Sequence, residues 1–141
     1  MGAILKAYQF ERSEKSNLMK PIIFCSPPKE IVDSAVSLNI PLAKEMKKQG
    51  SVMMRTMRLE SNLLMIIDEL GEDPVIKDFD VLFNPAYQTD VLKSLINVCK
   101  KKPFRVIWPG RYEDGKLYYA EEGYRDYKTY DVANYDVTVI I

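Results

Sequence analysis

Apolar positions recur along this chain with two different periods, and the changes of period mark its elements. The run Ile22-Ile23-Phe24-Cys25 is short and unbroken, and Pro27-Pro28 after it cannot extend a ladder, so it predicts a buried strand. Ile31, Ala35 and Leu38 then recur at helical spacing and predict a short helix over "KEIVDSAVSLN". Asn39 stands where it can cap a second helix, with Pro41 in its first turn, Leu42 and Met46 on one face and Gly50 at its end. The clearest helical pattern covers "RTMRLESNLLMIIDELGEDP", in which Met57, Leu64 and Ile67 belong to a broad apolar stripe expected to fill the core.

Phe79, Val81 and Phe83 in "DFDVLF" share a period of two and predict a strand. "NPAYQTD" reads as a loop, and Asp90 as the cap of the helix "VLKSLINVCKK", with Leu92, Leu95, Ile96 and Cys99 as its buried face. Pro103 closes that unit, "FRVIW" is the next strand, and Pro109-Gly110 is a turn. Asp114-Gly115, between Arg111-Tyr112 and Leu117–Tyr119, is a strong hairpin signal, and "YDVTVII" supplies a β-branched last strand. This order predicts an α/β fold of three layers with a mostly parallel central sheet and a β-rich C-terminal hairpin and tail. A single domain accounts for residues 1–141, with 1–20 as a lead-in and 111–141 as an aromatic hairpin and terminal strand. No internal repeat or low-complexity linker interrupts it.

Composition acts mainly by exclusion. With 47% hydrophobic and 28% charged residues, the chain has the balance of a folded protein rather than a disordered one. No apolar run approaches the roughly 20 residues of a membrane span. The N-terminal segment lacks the apolar centre and cleavage site of a signal peptide, and Lys6 stands where a myristoylation motif needs Ser or Thr. The expectation is a cytoplasmic protein with no membrane partner. The lack of histidine and of a CxxC pair argues against a zinc site and rules out a histidine-based catalytic triad, and Cys25 and Cys99 read as buried reduced thiols.

Net charge is zero, but residues 1–60 carry ten Lys or Arg against six acids and residues 61–141 ten against fourteen. The clusters Lys44, Lys47, Lys48 and Lys100, Lys101, Lys102 fall on or just after predicted helices and lack the interleaved aromatics of a single-strand groove. They read as solvated helix faces, with nucleic-acid binding as the rival reading.

In a parallel sheet, ligands bind where loops leave the carboxyl ends of strands. Three exits qualify here: "SPPKE", "NPAYQTD" and "PGRYEDG". A phosphate-binding loop would read GxxxxGK[ST], its backbone N–H groups cradling phosphate and its lysine reaching the outer phosphates. The first exit has no glycine and two residues without an N–H, which leaves Lys29 as a remnant. Asp78 and Asp80 are the acids placed to hold magnesium, although Lys77 interrupts the apolar run before them; they read as solvated carboxylates. Glu113, Asp114, Glu121 and Glu122 offer pairs for glycosidase-type chemistry, but nothing in the sequence separates one pKa from another. Seven of the nine tyrosines (Tyr112, Tyr118, Tyr119, Tyr124, Tyr127, Tyr130, Tyr135) lie near Trp108 and Arg111. Two readings stand for them: a tail packed on the sheet, or a protein-docking patch.

The run "DVLFNPAYQTDVLKSLINVCKKKPFRVIWPG" followed by "LYYAEEGYRDYKTY" resembles, in order and spacing over roughly residues 79–130, the small P-loop protein family of the BREX bacteriophage-exclusion systems. The residues that carry the likeness are Leu82-Phe83-Asn84-Pro85, Asp90-Val91-Leu92, Trp108-Pro109-Gly110 and Tyr119 to Tyr127. The resemblance implies a P-loop-NTPase-like sheet and a phage-defence setting. Because "SPPKE" replaces the family's phosphate loop, it brings no nucleotide-contacting residue to this chain. The resulting expectation is a non-catalytic subunit with no cofactor. It would bind a larger protein of a defence assembly through Trp108, Arg111, Tyr119, Glu121 and Tyr127. The alternatives are a divergent nucleotide-binding ATPase of the same family, using Lys29, Asp78 and Asp80, and a small nucleic-acid-binding protein. Self-association and indirect contact with nucleic acid stay open.

Overall fold

The computed structural model describes residues 1–141. In chain order the strands are β1 (Ala3–Leu5), β2 (Ile22–Phe24), β3 (Val36–Ser37), β4 (Val75–Lys77), β5 (Arg105–Ile107), β6 (Arg111–Glu113), β7 (Lys116–Tyr119), β8 (Lys128–Asp131) and β9 (Thr138–Ile140). The helices are α1 (Ala7–Arg12), α2 (Lys29–Ser34), α3 (Asn39–Lys47), α4 (Val52–Met57), α5 (Leu59–Asp68) and α6 (Val91–Lys101). Six strands form one sheet in the order β1-β9-β2-β5-β4-β3, every pair of neighbours parallel. The remaining three form an antiparallel sheet, β6-β7-β8, inserted between β5 and β9. The α/β class is therefore as expected. No helix is long and apolar enough to cross a membrane.

Side chains alternate across the parallel sheet, so its two faces are set by register. Ile23, Val106 and Val139 stand opposite one another and face the same way as Ile76. Together with residues of α3, α5 and α6 they form a core cluster of 28 buried residues. On the other face Ile22, Phe24 and Ile140 form a cluster of three, covered by Leu5, Leu18, Phe10 of α1 and Ile31 of α2, with Val75 and Thr138 buried in the row of Ile22. Most of the hydrophobic free energy of folding thus resides on one side, because it scales with apolar area removed from water.

Four expectations need correction. The helix expected through Leu38 ends at Ser34, because Ala35 is extended and Val36-Ser37 instead pair with Ile76-Lys77. Asn39 does not cap α3: its side chain accepts from the Val81 amide at 3.0 Å and donates to Asp80 at 3.2 Å, tying the helix start to a distant loop. The long helix of residues 55–74 is two helices broken at Arg58, the first capped by the Ser51 hydroxyl. That break turns Met57 outward, 71% exposed, so it does not fill the core. Finally, the strand expected at "DFDVLF" lies earlier, at Val75–Lys77. Asp78 takes a positive φ of 50°, which ends the ladder, and Asp80–Phe83 winds into a 3-10 turn that buries Phe79, Leu82 and Phe83. The lead-in, for its part, supplies an edge strand, with Ala3, Ile4 and Leu5 opposite Thr138, Val139 and Ile140.

Candidate functional site at the carboxyl edge of the sheet

The three exits named above all open at the carboxyl edge of the parallel sheet. At the β2 exit, Ser26-Pro27-Pro28 leads into α2, a helix of six residues with no buried side chain. Pro28 occupies its N-cap and provides no side-chain cap, while Glu30 sits in the first turn. An anion there would meet missing N–H donors and a carboxylate together. Cys25, just before the bend, is a free thiol whose pKa burial pushes up to about 12, so it is protonated and weakly nucleophilic at neutral pH.

At the β4 exit the two aspartates diverge. Asp78 is exposed on its left-handed backbone, whereas Asp80 opens the 3-10 turn with both carboxylate oxygens engaged. The Tyr119 hydroxyl donates to one oxygen at 2.9 Å and the Asn39 amide to the other at 3.2 Å. Both aspartates are exposed, as expected of solvated carboxylates, but they flank and open a 3-10 turn and do not stand on a strand. Lys29 opens α2, after β2, a strand two positions from β4 and roughly 10 Å across the sheet, and makes no ion pair with either acid. No ion pair joins Lys29 to Asp78 or Asp80, and no group of three His, Cys, Asp or Glu side chains could hold a metal ion.

The β5 exit is built differently. Asp114 and Gly115 both take positive φ, 48° and 81°, the type I′ geometry that matches the twist of a two-residue hairpin. Alternation then sorts the aromatics. Leu117 and Tyr119 on β7 and Tyr130 on β8 point inward and are buried. Trp108 is their hub, 4% exposed, with Phe83 and Tyr130 edge-on at 5.8 and 5.7 Å. Its indole N–H donates to the Tyr118 carbonyl at 2.9 Å. Tyr119 stacks flat on Phe83, centroids 3.7 Å apart. Burial, then the bond to Asp80, raises the Tyr119 hydroxyl pKa well above the ordinary tyrosine range.

The five residues expected to meet a partner therefore split. Trp108 and Tyr119 are core side chains, with almost no surface to offer. Arg111, Glu121 and Tyr127 lie on the outer face of the small sheet with Tyr118, whose inclusion Leu117 signals once its inward side is fixed. Arg111 spans this face: it sits 4.5 Å from the Tyr118 ring centroid, donates to the Ala120 carbonyl at 3.3 Å and lies 3.8 Å from Glu121. Tyr127 lies 6.5 Å from Tyr118, ring to ring. Beside this face, a groove of about 630 Å³, lined mainly by polar residue types, separates Asn84–Ala86 and Gln88 from Tyr124–Asp126. The two best-marked stretches of the sequence meet there. No family model matches the chain, and neither a curated protein nor a solved structure does.

Proposed function

We propose that this chain is a non-catalytic α/β subunit of a cytoplasmic, BREX-like bacteriophage-defence assembly. It binds a larger protein through the outer face of the hairpin sheet, centred on Arg111, Tyr118, Glu121 and Tyr127. The observation that carries this reading is the contrast between a loop after β2 that offers no seat for phosphate and an organised aromatic and charged surface after β5. Strand order adds support. Numbered from β2, the sequence β9-β2-β5-β4-β3 runs fifth, first, fourth, third, second, as a P-loop ATPase framework of the kind the resemblance implies would run. In that framework, the phosphate loop belongs at the β2 exit. A retained framework with a lost cradle suits a subunit that binds protein rather than nucleotide.

The test is recovery of partners from the native host on tagged, full-length protein. A larger protein is expected, with recovery falling about fivefold for Arg111→Ala and for Tyr127→Ala, the loss of roughly 1 kcal/mol each. Equal recovery by all three proteins overturns the reading. The strand order also favours the second reading, a divergent ATPase. Calorimetric titration with Mg-ATP separates the two, since micromolar binding abolished by Lys29→Ala would establish the enzyme instead.

A further inference from the structure

On the far side of the 81–88 segment lies a second groove, about 510 Å³ and mainly apolar. Ile40, Val81 and Tyr87 form its walls, and Lys44, Lys47 and Arg55 its rim. No carboxylate lines it, and none of the three cations makes an ion pair. Ile40 is 82% exposed, and the adjoining α4 leaves Met53 and Met57 mostly in solvent. Apolar side chains grouped in this way with unpaired cations mark a contact surface rather than an ordinary solvated face. The chemistry of the occupant follows: an apolar anchor flanked by carboxylates.

The chain itself carries such a feature. Tyr124 is 68% exposed, between Glu121-Glu122 and Asp126, with Arg125 as the only cation of that loop. The loop is already shaped. The Tyr124 amide donates to the Glu121 carbonyl at 3.1 Å, and the Tyr127 amide to the Tyr124 carbonyl at 3.2 Å. Little ordering entropy would therefore be lost on docking. Val81 and Tyr87 wall the basic groove while Asn84 and Gln88 line the polar groove beside Tyr124, so knob and groove occupy neighbouring surfaces. Two copies can then exchange knobs about a two-fold axis, each contact made twice. The zero net charge leaves no overall repulsion between copies, while the basic first part and acidic second part of the chain supply attraction.

We propose that the basic groove is an interface between copies of this chain: Tyr124 of one seats between Ile40, Val81 and Tyr87 of the other, with Glu122 and Asp126 facing Lys44, Lys47 and Arg55. This interface is independent of any partner on the hairpin's outer face. Sedimentation velocity over a concentration series reaching hundreds of micromolar tests it on the full chain. A reversible dimer is expected, weakened about tenfold by Tyr124→Ala and by Lys44→Glu with Lys47→Glu, and recovered when the charge-reversed groove is mixed with Glu122→Lys protein. The dimer should also dissociate between roughly 0.1 and 1 M salt, as the screening length falls from about 10 to about 3 Å. All the altered side chains are exposed, so unchanged circular dichroism and melting certify folding. A monomer at every concentration overturns the proposal and leaves the groove to a different acidic partner. A dimer indifferent to salt and to these variants overturns it too.

Discussion

The loops after β2 and β5 leave neighbouring strands of one sheet, yet they are built to opposite ends. After β5 the chain is held at every step. The Trp108 amide continues the ladder by donating to the Phe24 carbonyl, its indole is buried and hydrogen-bonded, and Gly110 lies against the Tyr118 carbonyl. After β2 the Cys25 amide still donates to the Ile140 carbonyl, but then come two prolines and a helix with no buried residue, whose half-buried Ile31 is its contact with the small cluster. The difference follows from the sheet's two faces. The β5 exit feeds residues into the large core, while the β2 exit runs over the thin side, whose hydrophobic cluster has three buried residues against twenty-eight. What is rigid at this edge is therefore the support of an inserted sheet, and not a ligand cradle.

The largest expected effects test that rigidity. Trp108→Ala should cost about 3–5 kcal/mol, a large share of the roughly 5–15 kcal/mol that holds a domain of this size. A shifted urea midpoint at unchanged slope measures it. Gly110→Ala should be comparably damaging, since a Cβ there would stand 1.8 Å from the Tyr118 carbonyl oxygen and 3.0 Å from the Trp108 indole nitrogen. Near-native stability of either variant would erase the contrast between the two exits.

How far this edge was legible in the sequence depends on which forces shaped it. Strands β2, β5 and β9, helix α6 with its Asp90 cap, and the Asp114-Gly115 turn each declare themselves through local pattern, because local geometry alone fixes them. At the β4 exit Phe79, Val81 and Phe83 mimic a period of two, while the decisive event is a single positive φ at Asp78. Asn39 looked like a cap, and its real partners lie some forty residues on. Tyr119 and Tyr118 are neighbours of one type, and alternation with Leu117 decides which is core only once the face of β7 that packs on the sheet is fixed. Tertiary pairing of that kind leaves no mark in a local window.

A smaller effect probes how the hairpin is fastened to the β4 exit. Tyr119→Phe deletes the bond to Asp80 while keeping the stack on Phe83, and should cost about 0.5–1.5 kcal/mol at neutral pH. The same tyrosine makes the fastening sensitive to alkali. Burial, first of all, raises the hydroxyl pKa of Tyr119, Tyr130 and Tyr135, with Asp80 or Asp90 adding to it. An unfolded chain releases these protons near the ordinary value of about 10, while the folded chain keeps them beyond it. Above that pH the unfolded state therefore binds fewer protons, so stability is full below about 10 and falls as pH climbs further. Denaturation followed from pH 8 upward should show a steeper alkaline loss in the wild type than in Tyr119→Phe, and equal slopes would mean that the hydroxyl is not held.

The smallest expected change lies at the other exit. Lys29→Ala should alter stability by no more than about 0.5 kcal/mol, as befits an exposed side chain without a partner. The sharper experiment makes the loop flexible by Pro27→Gly with Pro28→Gly. Greater freedom of the unfolded chain should cost about 0.4–1 kcal/mol per site, and two backbone donors are gained. Mg-ATP should still give no binding heat. A working loop needs a hydroxyl directly after its lysine to hold magnesium, and Glu30 stands there instead, its carboxylate in the first turn of α2. If the two glycines alone conferred ATP binding, the β2 exit would be a seat merely blocked by its prolines. The line between the two exits would then be drawn by two ring-closed residues, and not by the absence of every other part of the cradle.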